Sequence, residues 1–297
     1  MDLINDFMGA FASFMWGPPL LILLLGGGLY FSIYSRFIPF KYFRHGVDIL
    51  FGRYNDPNDP GEITHFQALS SALASTVGLG NISGVAIAIQ MGGPGALFWM
   101  WVSAVVGMST KFFSCTLSIL FRGKDDQGNI QGGPMYYIEN GLGKKFKPLS
   151  ILFSIAGLFG CTVIFQSNQL ADIIRNQVLT PNGWFIESIE TGNLIQGLIM
   201  AFITSLVIFG GIKRIGQVAT YMVPVMVVLY MFAGLLVVFN HLAEIPSIFG
   251  LIIHDAFTGD AVMGGAVGSV IIAGVRRALF SNEAGLGTSD MAHGAAM

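Results

Sequence analysis

The sequence predicts an all-α polytopic membrane protein, on three observations: too little charge for a water-soluble surface, a series of apolar runs long enough to cross a bilayer, and basic residues confined to alternate connections. Of 297 residues, 53% are hydrophobic and 11% charged, where soluble proteins carry roughly 25% charge. The net charge of −2 argues against a nucleic-acid partner held by bulk electrostatics. Thirty-nine glycines suit helices whose backbones approach closely in lipid, where no hydrophobic effect drives association. Cys115 and Cys161 both lie in apolar runs, which leaves neither a disulfide framework nor a paired-cysteine zinc site.

A helix needs about 20 apolar residues to cross a hydrocarbon core of roughly 30 Å. Seven stretches meet or approach that length, at about 18–38, 66–91, 95–121, 148–178, 194–212, 217–240 and 262–296. A short apolar-faced leader, 3–16, precedes the first; without a basic start or a small-residue cleavage site it does not read as a signal peptide. Thr64-His-Phe-Gln67 introduces the second span as a capping box. The polar loop after the third span holds Gly132-Gly-Pro134 and an amphipathic piece, 135–140, too short to cross and suited to the interface.

Arg36, Lys41, Arg44 and Arg53 follow the first span, Arg122, Lys124, Lys144, Lys145 and Lys147 the third, and Lys213 and Arg214 the fifth. The opposite connections contain no Lys or Arg. Cytoplasmic loops carry the excess of basic residues, so the N-terminus is expected outside. Lys111, Arg175, Arg276 and Arg277 remain within or near span ends and need another explanation.

Gly78-Leu-Gly-Asn-Ile-Ser83 in the second span recurs as Gly285-Leu-Gly-Thr-Ser-Asp290 in the seventh. An offset of five spans is odd, so the two copies have opposite orientations. Inverted repeats of broken helices, with sites at the breaks, are the architecture of many secondary transporters; close helix packing at glycines is the simpler reading. Unwinding at 78–80 frees backbone groups that cost several kcal/mol each when unsatisfied in hydrocarbon. N–H groups starting the next half-helix, around 81–84, would attract a carboxylate, and freed carbonyls from Ala74 to Val77 would face Na⁺ or an ammonium group. Asn81 offers an amide to bridge ion and substrate, and Thr76 and Ser83 offer hydroxyls; an interhelical hydrogen bond is the plainer role for Asn81. No Asp or Glu lies between Gln67 and Arg122, so a substrate carboxylate would help neutralise the cation.

At the second break, Ser281 and Asn282 are polar, Phe280 is placed to cap a small pocket, and Glu283 lies near Arg276 and Arg277. An intramembrane ionisable group costs about 2.5–3.5 kcal/mol on insertion scales unless paired or hydrated. Glu283 with one arginine is therefore read as a structural or gating pair, with a direct ligand role as the alternative. Lys111 is expected to snorkel towards the inner surface. His65 and His293 have no partner at metal-ligand spacing.

Four stretches together are similar to the alanine or glycine:cation symporter family: the run from Phe66 to Ala86, Gly92-Gly-Pro-Gly-Ala-Leu-Phe-Trp-Met-Trp101, Gly132-Gly-Pro-Met-Tyr136 and Phe280-Ser-Asn-Glu-Ala-Gly-Leu-Gly287. The resemblance covers essentially the whole chain in order. It implies a leucine-transporter-like fold of two inverted five-helix repeats with an added N-terminal helix, and sodium-coupled uptake of alanine or glycine across the plasma membrane. It also implies a sodium-ligand role for Asn81, with Ala74 and Val77, and makes Gln166 a third-helix candidate for the substrate beside Thr76, Gly78, Gly80, Asn81, Phe280, Ser281 and Asn282. Packing alone is the other role open to Gln166.

The expected organisation is an N-terminal helix and cytoplasmic loop (1–65), a first repeat (66–241) broken at 76–84, and an external loop with the start of the second repeat (242–297) broken at 280–288. Members of the family are longer, so a C-terminally truncated, incomplete inverted repeat is expected. An inactive fragment, or a carrier of another small solute on the same fold, is the alternative function. The partners implied are a small neutral amino acid, sodium and the bilayer, with no cofactor beyond the coupling ion. An intramembrane enzyme would need a nucleophile with its base or a metal cluster, and the spans hold no His-Glu-x-x-His, paired aspartates or adjacent Ser and His. A channel is disfavoured because no ring-forming filter motif is present.

Overall fold

The computed structural model describes residues 2–56, 59–162, 164–185, 188–258 and 267–297. It is helical nearly throughout among the described residues, departing from the all-α expectation where Gly123–Lys124 pairs antiparallel with Ile130–Gln131 in the polar loop and where Ile63 and Ala296 form an isolated parallel bridge. Asp125 closes that hairpin by accepting from the side chain and backbone of Asn129 and the backbone of Gln127. The Asn129 amide in particular holds the Asp125 carboxyl below the usual carboxylate range.

Helix α1, Asp2–Met15, leads into a helical run that ends in α2, Gly27–Tyr34. The first span stops at Tyr34 rather than at 38, because Arg36 and Phe37 take left-handed backbone angles of 54° and 59° that no helix continues through. The first broken helix comprises α3, His65–Thr76, and α4, Leu79–Gly92, and α5 is Gly95–Leu120. The amphipathic piece of the polar loop is α6, Pro134–Leu142. Then follow α7, Lys147–Gly160, α8, Ile164–Ile174, α9, Ile189–Ile208, and α10, Gly211–Asn240. Helix α11, Ile245–Thr258, precedes the second broken helix, α12, Val267–Asn282, and α13, Thr288–Gly294.

Among the described residues, four helices are long and apolar enough to cross a membrane, Asn5–Tyr34, Gly95–Leu120, Ile189–Ile208 and Gly211–Asn240, or five if the bent pair α3 and α4 counts as one span. Seven were expected, and the differences are physical. The leader and first span form one 30-residue apolar helical stretch. The expected fourth span divides into α7 and α8 near Cys161. In the expected seventh, residues 259–266 lie outside those described, and the 16 residues of α12 rise only about 24 Å.

Helix α5 is the axis of the fold. Helices α2, α11 and both arms of the second broken helix pack on it. Ala88, Ala96, Met100, Val270 and Ala278 form a buried cluster joining α4, α5 and α12. Small side chains permit that approach: a Cβ on Gly274 would fall 2.4 Å from the Ala96 carbonyl oxygen. At one end of α5, Asp255 accepts from the Gly95 N–H at 2.7 Å and Trp99 donates to the Ala256 carbonyl at 3.1 Å. At the other end Arg122 donates to the Pro60 and Ala296 carbonyls.

Candidate functional site

Thr64 caps α3 as its sequence requires: its hydroxyl accepts from the Gln67 N–H at 3.2 Å, and the Gln67 side chain accepts from the Thr64 N–H at 2.9 Å. The helix ends at Thr76, and α4 resumes at Leu79 at 43° to it. The break thus occupies 77–78, starting one residue and ending two residues before the 78–80 expected, and Gly80 and Asn81 lie in the first turn of α4. Ala74 remains in α3, and Val77 stands in the break with its N–H bonded to the Leu73 carbonyl at 2.7 Å. The N–H groups of Asn81 and Ile82 are spent on the Gly78 carbonyl. The start of α4, and with it the positive end of its dipole, therefore lies at 79–80, not at 81–84.

The second break occupies 283–287, inside the predicted 280–288. Phe280, Ser281 and Asn282 form the last turn of α12 rather than unwound backbone. Three left-handed residues turn the chain, Glu283 at 53°, Gly285 at 87° and Gly287 at 81°, and the Asn282 side chain accepts from the Ala284 N–H at 3.0 Å. Helix α12 packs along α4, and α13 along α3. The first arm of the second broken helix thus lies beside the second arm of the first, and the two run antiparallel with their breaks face to face.

Asn81 joins the breaks. Its amide nitrogen donates to the Thr76 carbonyl at 2.7 Å, and its amide oxygen accepts from the Ser281 hydroxyl. The Thr76 hydroxyl turns back to the Ala72 carbonyl at 2.7 Å. Gly78 borders the same space, and a Cβ there would meet nothing within 4 Å.

The gating pair is not formed. Glu283 accepts from the Ser75 hydroxyl at 3.3 Å and the Thr288 hydroxyl at 2.7 Å. Arg276 instead donates to the carbonyls of Trp16 and Ser13, and neither it nor Arg277 is ion-paired with Glu283. Seven helical residues advance about 10 Å, and the left-handed turn at Glu283 carries its side chain off the α12 face that bears the arginines. Phe280 packs against Trp16 with ring centroids 5.7 Å apart. Both rings and both arginines line a cavity of about 520 Å³ between α1, α4 and α12. Gln166 is exposed on α8, with no hydrogen bond to either break.

Two contacts were not legible in the sequence. Lys111, instead of snorkelling, donates to the Glu283 carbonyl at 3.2 Å. Asp290, 1% exposed on α13, accepts from Ser114 at 2.9 Å, Cys115 at 3.4 Å and the Tyr137 hydroxyl at 3.4 Å, while its carbonyl accepts from Ser118 at 2.6 Å. Polar residues every three or four positions along one face of α5 were the available signal.

The profile of the sodium:alanine symporter family matches residues 1–297. The chain belongs to that family. It is 40% identical over 289 residues to the sodium/alanine symporter AgcS of Methanococcus maripaludis, an alignment covering 96% of this chain and 61% of the relative. It is 36% identical over 285 residues to the amino-acid carrier protein AlsT of Bacillus subtilis, covering 96% and 58%. The probable sodium/glutamine symporter GlnT of B. subtilis is 35% identical over 288 residues, covering 97% and 58%. The chain spans about three-fifths of the length of the curated relatives it matches. Family membership and the apolar helices make this a multi-pass membrane protein of a transporter family, not an enzyme family.

Proposed function

We propose that the protein carries out sodium-coupled symport of a small neutral amino acid, alanine or glycine, across the plasma membrane, with its N-terminus outside and the two breaks as the binding site of a leucine-transporter-like inverted repeat. The single observation that carries this reading is the Asn81 amide, bonded to its own break through Thr76 and to the other through Ser281. Sodium is a hard cation that takes oxygen ligands; the Asn81 amide oxygen, with the Ala74 and Val77 carbonyls, is its proposed seat. The substrate carboxylate sits at the open end of α4, beside Gly78 and Gly80. Thr76, Ser281 and Asn282 surround it, Phe280 caps the pocket, and Gln166 is the third-helix candidate for the substrate. Alanine is favoured by the name that AgcS carries.

The test is uptake of labelled alanine by vesicles reconstituted with the protein that carries this chain. An inward sodium gradient should drive accumulation, glycine should compete, and Asn81→Ala should weaken the apparent sodium affinity roughly tenfold or more, as expected for one polar partner of a charged group lost at a part-buried site. Equal uptake with and without the gradient would overturn the coupling. Glutamine competing as well as glycine would overturn the small pocket.

A further inference from the structure

A carboxylate stands between the two breaks with no cation assigned to it. Glu283 opens the second break, and one of its carboxylate oxygens, Oε2, accepts from Ser75 at the end of α3 and from Thr288 at the start of α13. One side chain therefore touches both broken helices. Both bonds come from neutral hydroxyls and both fall on Oε2; among the described residues Oε1 accepts none.

Two of the basic side chains nearby are committed elsewhere, and the third, Arg277, forms no ion pair with Glu283. Lys111 serves the backbone carbonyl of Glu283, Arg276 serves the Trp16 and Ser13 carbonyls, and the ion pairs among the described residues are Arg53 with Asp48, Lys147 with Glu139 and Arg175 with Asp172. An unpaired carboxylate at membrane depth is costly and marks a functional site by default. The first break has no acid of its own, since none occurs between Gln67 and Arg122.

We infer that Glu283 binds the α-ammonium group of the amino-acid substrate, with the Ser75 and Thr288 hydroxyls orienting its carboxylate. This rests on the symport reading and completes it: a zwitterion needs an anion site, which the open end of α4 supplies, and a cation site of opposite sign within a few ångströms. An ammonium brings three donors, and its bonds to a carboxylate are charge-assisted, roughly twice as strong as neutral ones. Sodium, on this account, sits at the neutral amide of Asn81, and the two cations occupy different oxygens.

The experiment uses purified full-length protein with labelled alanine at saturating sodium, and labelled sodium without alanine. Glu283→Gln should weaken alanine binding about tenfold or more, the range for a hydrogen bond to a charged group, while sodium binding without alanine stays within about twofold. Glu283→Asp should fall between Gln and wild type. Wild-type protein should prefer alanine over lactate, which keeps the carboxylate and replaces the ammonium by hydroxyl, and Glu283→Gln should lose most of that preference. Wild-type affinity for alanine in the Gln variant, or sodium binding lost in parallel without alanine, overturns the inference alone. If Glu283→Gln fails to fold, an Asp variant with undiminished affinity overturns it, and a weakened one with intact sodium binding supports it. Wild-type protein that binds no alanine overturns the symport reading and this inference with it.

Discussion

The two breaks share a motif but are built differently. The first is short and neutral: two residues with no left-handed backbone, bridged by one amide side chain, following an arm whose start is capped locally by Thr64 and Gln67. The second is five residues long, uses three left-handed positions, carries a carboxylate, and is held from outside by Lys111 and by the Asp290 hydrogen bonds on its second arm. A neutral break with free space around it can accept an ion or a carboxylate without reorganising its neighbours. A charged break in a fixed turn presents one carboxylate in one place. The difference teaches that an internal echo in sequence repeats the position of a helix break while dividing neutral and charged groups between the copies.

The largest expected effect tests that contrast in rigidity. Gly287→Ala puts a Cβ 2.5 Å from Pro134 at a backbone angle of 81°. Left-handed backbone costs about 1–2 kcal/mol for a non-glycine residue, and overpacking a further 1–3, so the variant should show a clearly lowered Tm. Gly78→Ala meets nothing within 4 Å and should leave Tm nearly unchanged while altering binding. Equal destabilisation of the two variants would break the comparison.

Asp290→Ala comes next. It leaves the Ser114 and Tyr137 hydroxyls without their acceptor in a site that is almost fully buried, a loss of about 1.5–3 kcal/mol for bonds to a charged group. Thermal unfolding should register that loss. Thr64→Ala removes a local cap from the first broken helix and should cost about 1 kcal/mol. Hydrogen exchange should show fraying limited to the first turn of α3. Exchange spreading to α13 would mean that the two arms are not supported independently.

Much of this was legible in the sequence because it is local. The capping box is a four-residue pattern, and the glycine echo marks both breaks to within two or three residues. The amphipathic period of 135–140 foretold α6. The expected spans and the continuous helices differ where a run's composition is apolar but its backbone is interrupted, as at Cys161, because hydropathy measures the solvent a residue prefers and not whether the helix continues through it. The Glu283 pairing failed for a related reason. Nearness in sequence to Arg276 and Arg277 made an ion pair plausible, but the pairing depends on a left-handed turn that one carboxylate in a glycine-rich stretch does not announce. The contacts of Lys111 and Asp290 join residues more than 150 positions apart, and no local pattern encodes them.

The central claim is that the two breaks form one site through Asn81 and Ser281. A double-mutant cycle of Asn81→Ala and Ser281→Ala, read in sodium-dependent alanine affinity, tests it most directly. Residues in contact show coupling of about 0.5–3 kcal/mol, where independent sites add within about 0.3–0.5. The account predicts coupling of about 1 kcal/mol or more, so that the second substitution adds little to the first; additive losses would contradict it.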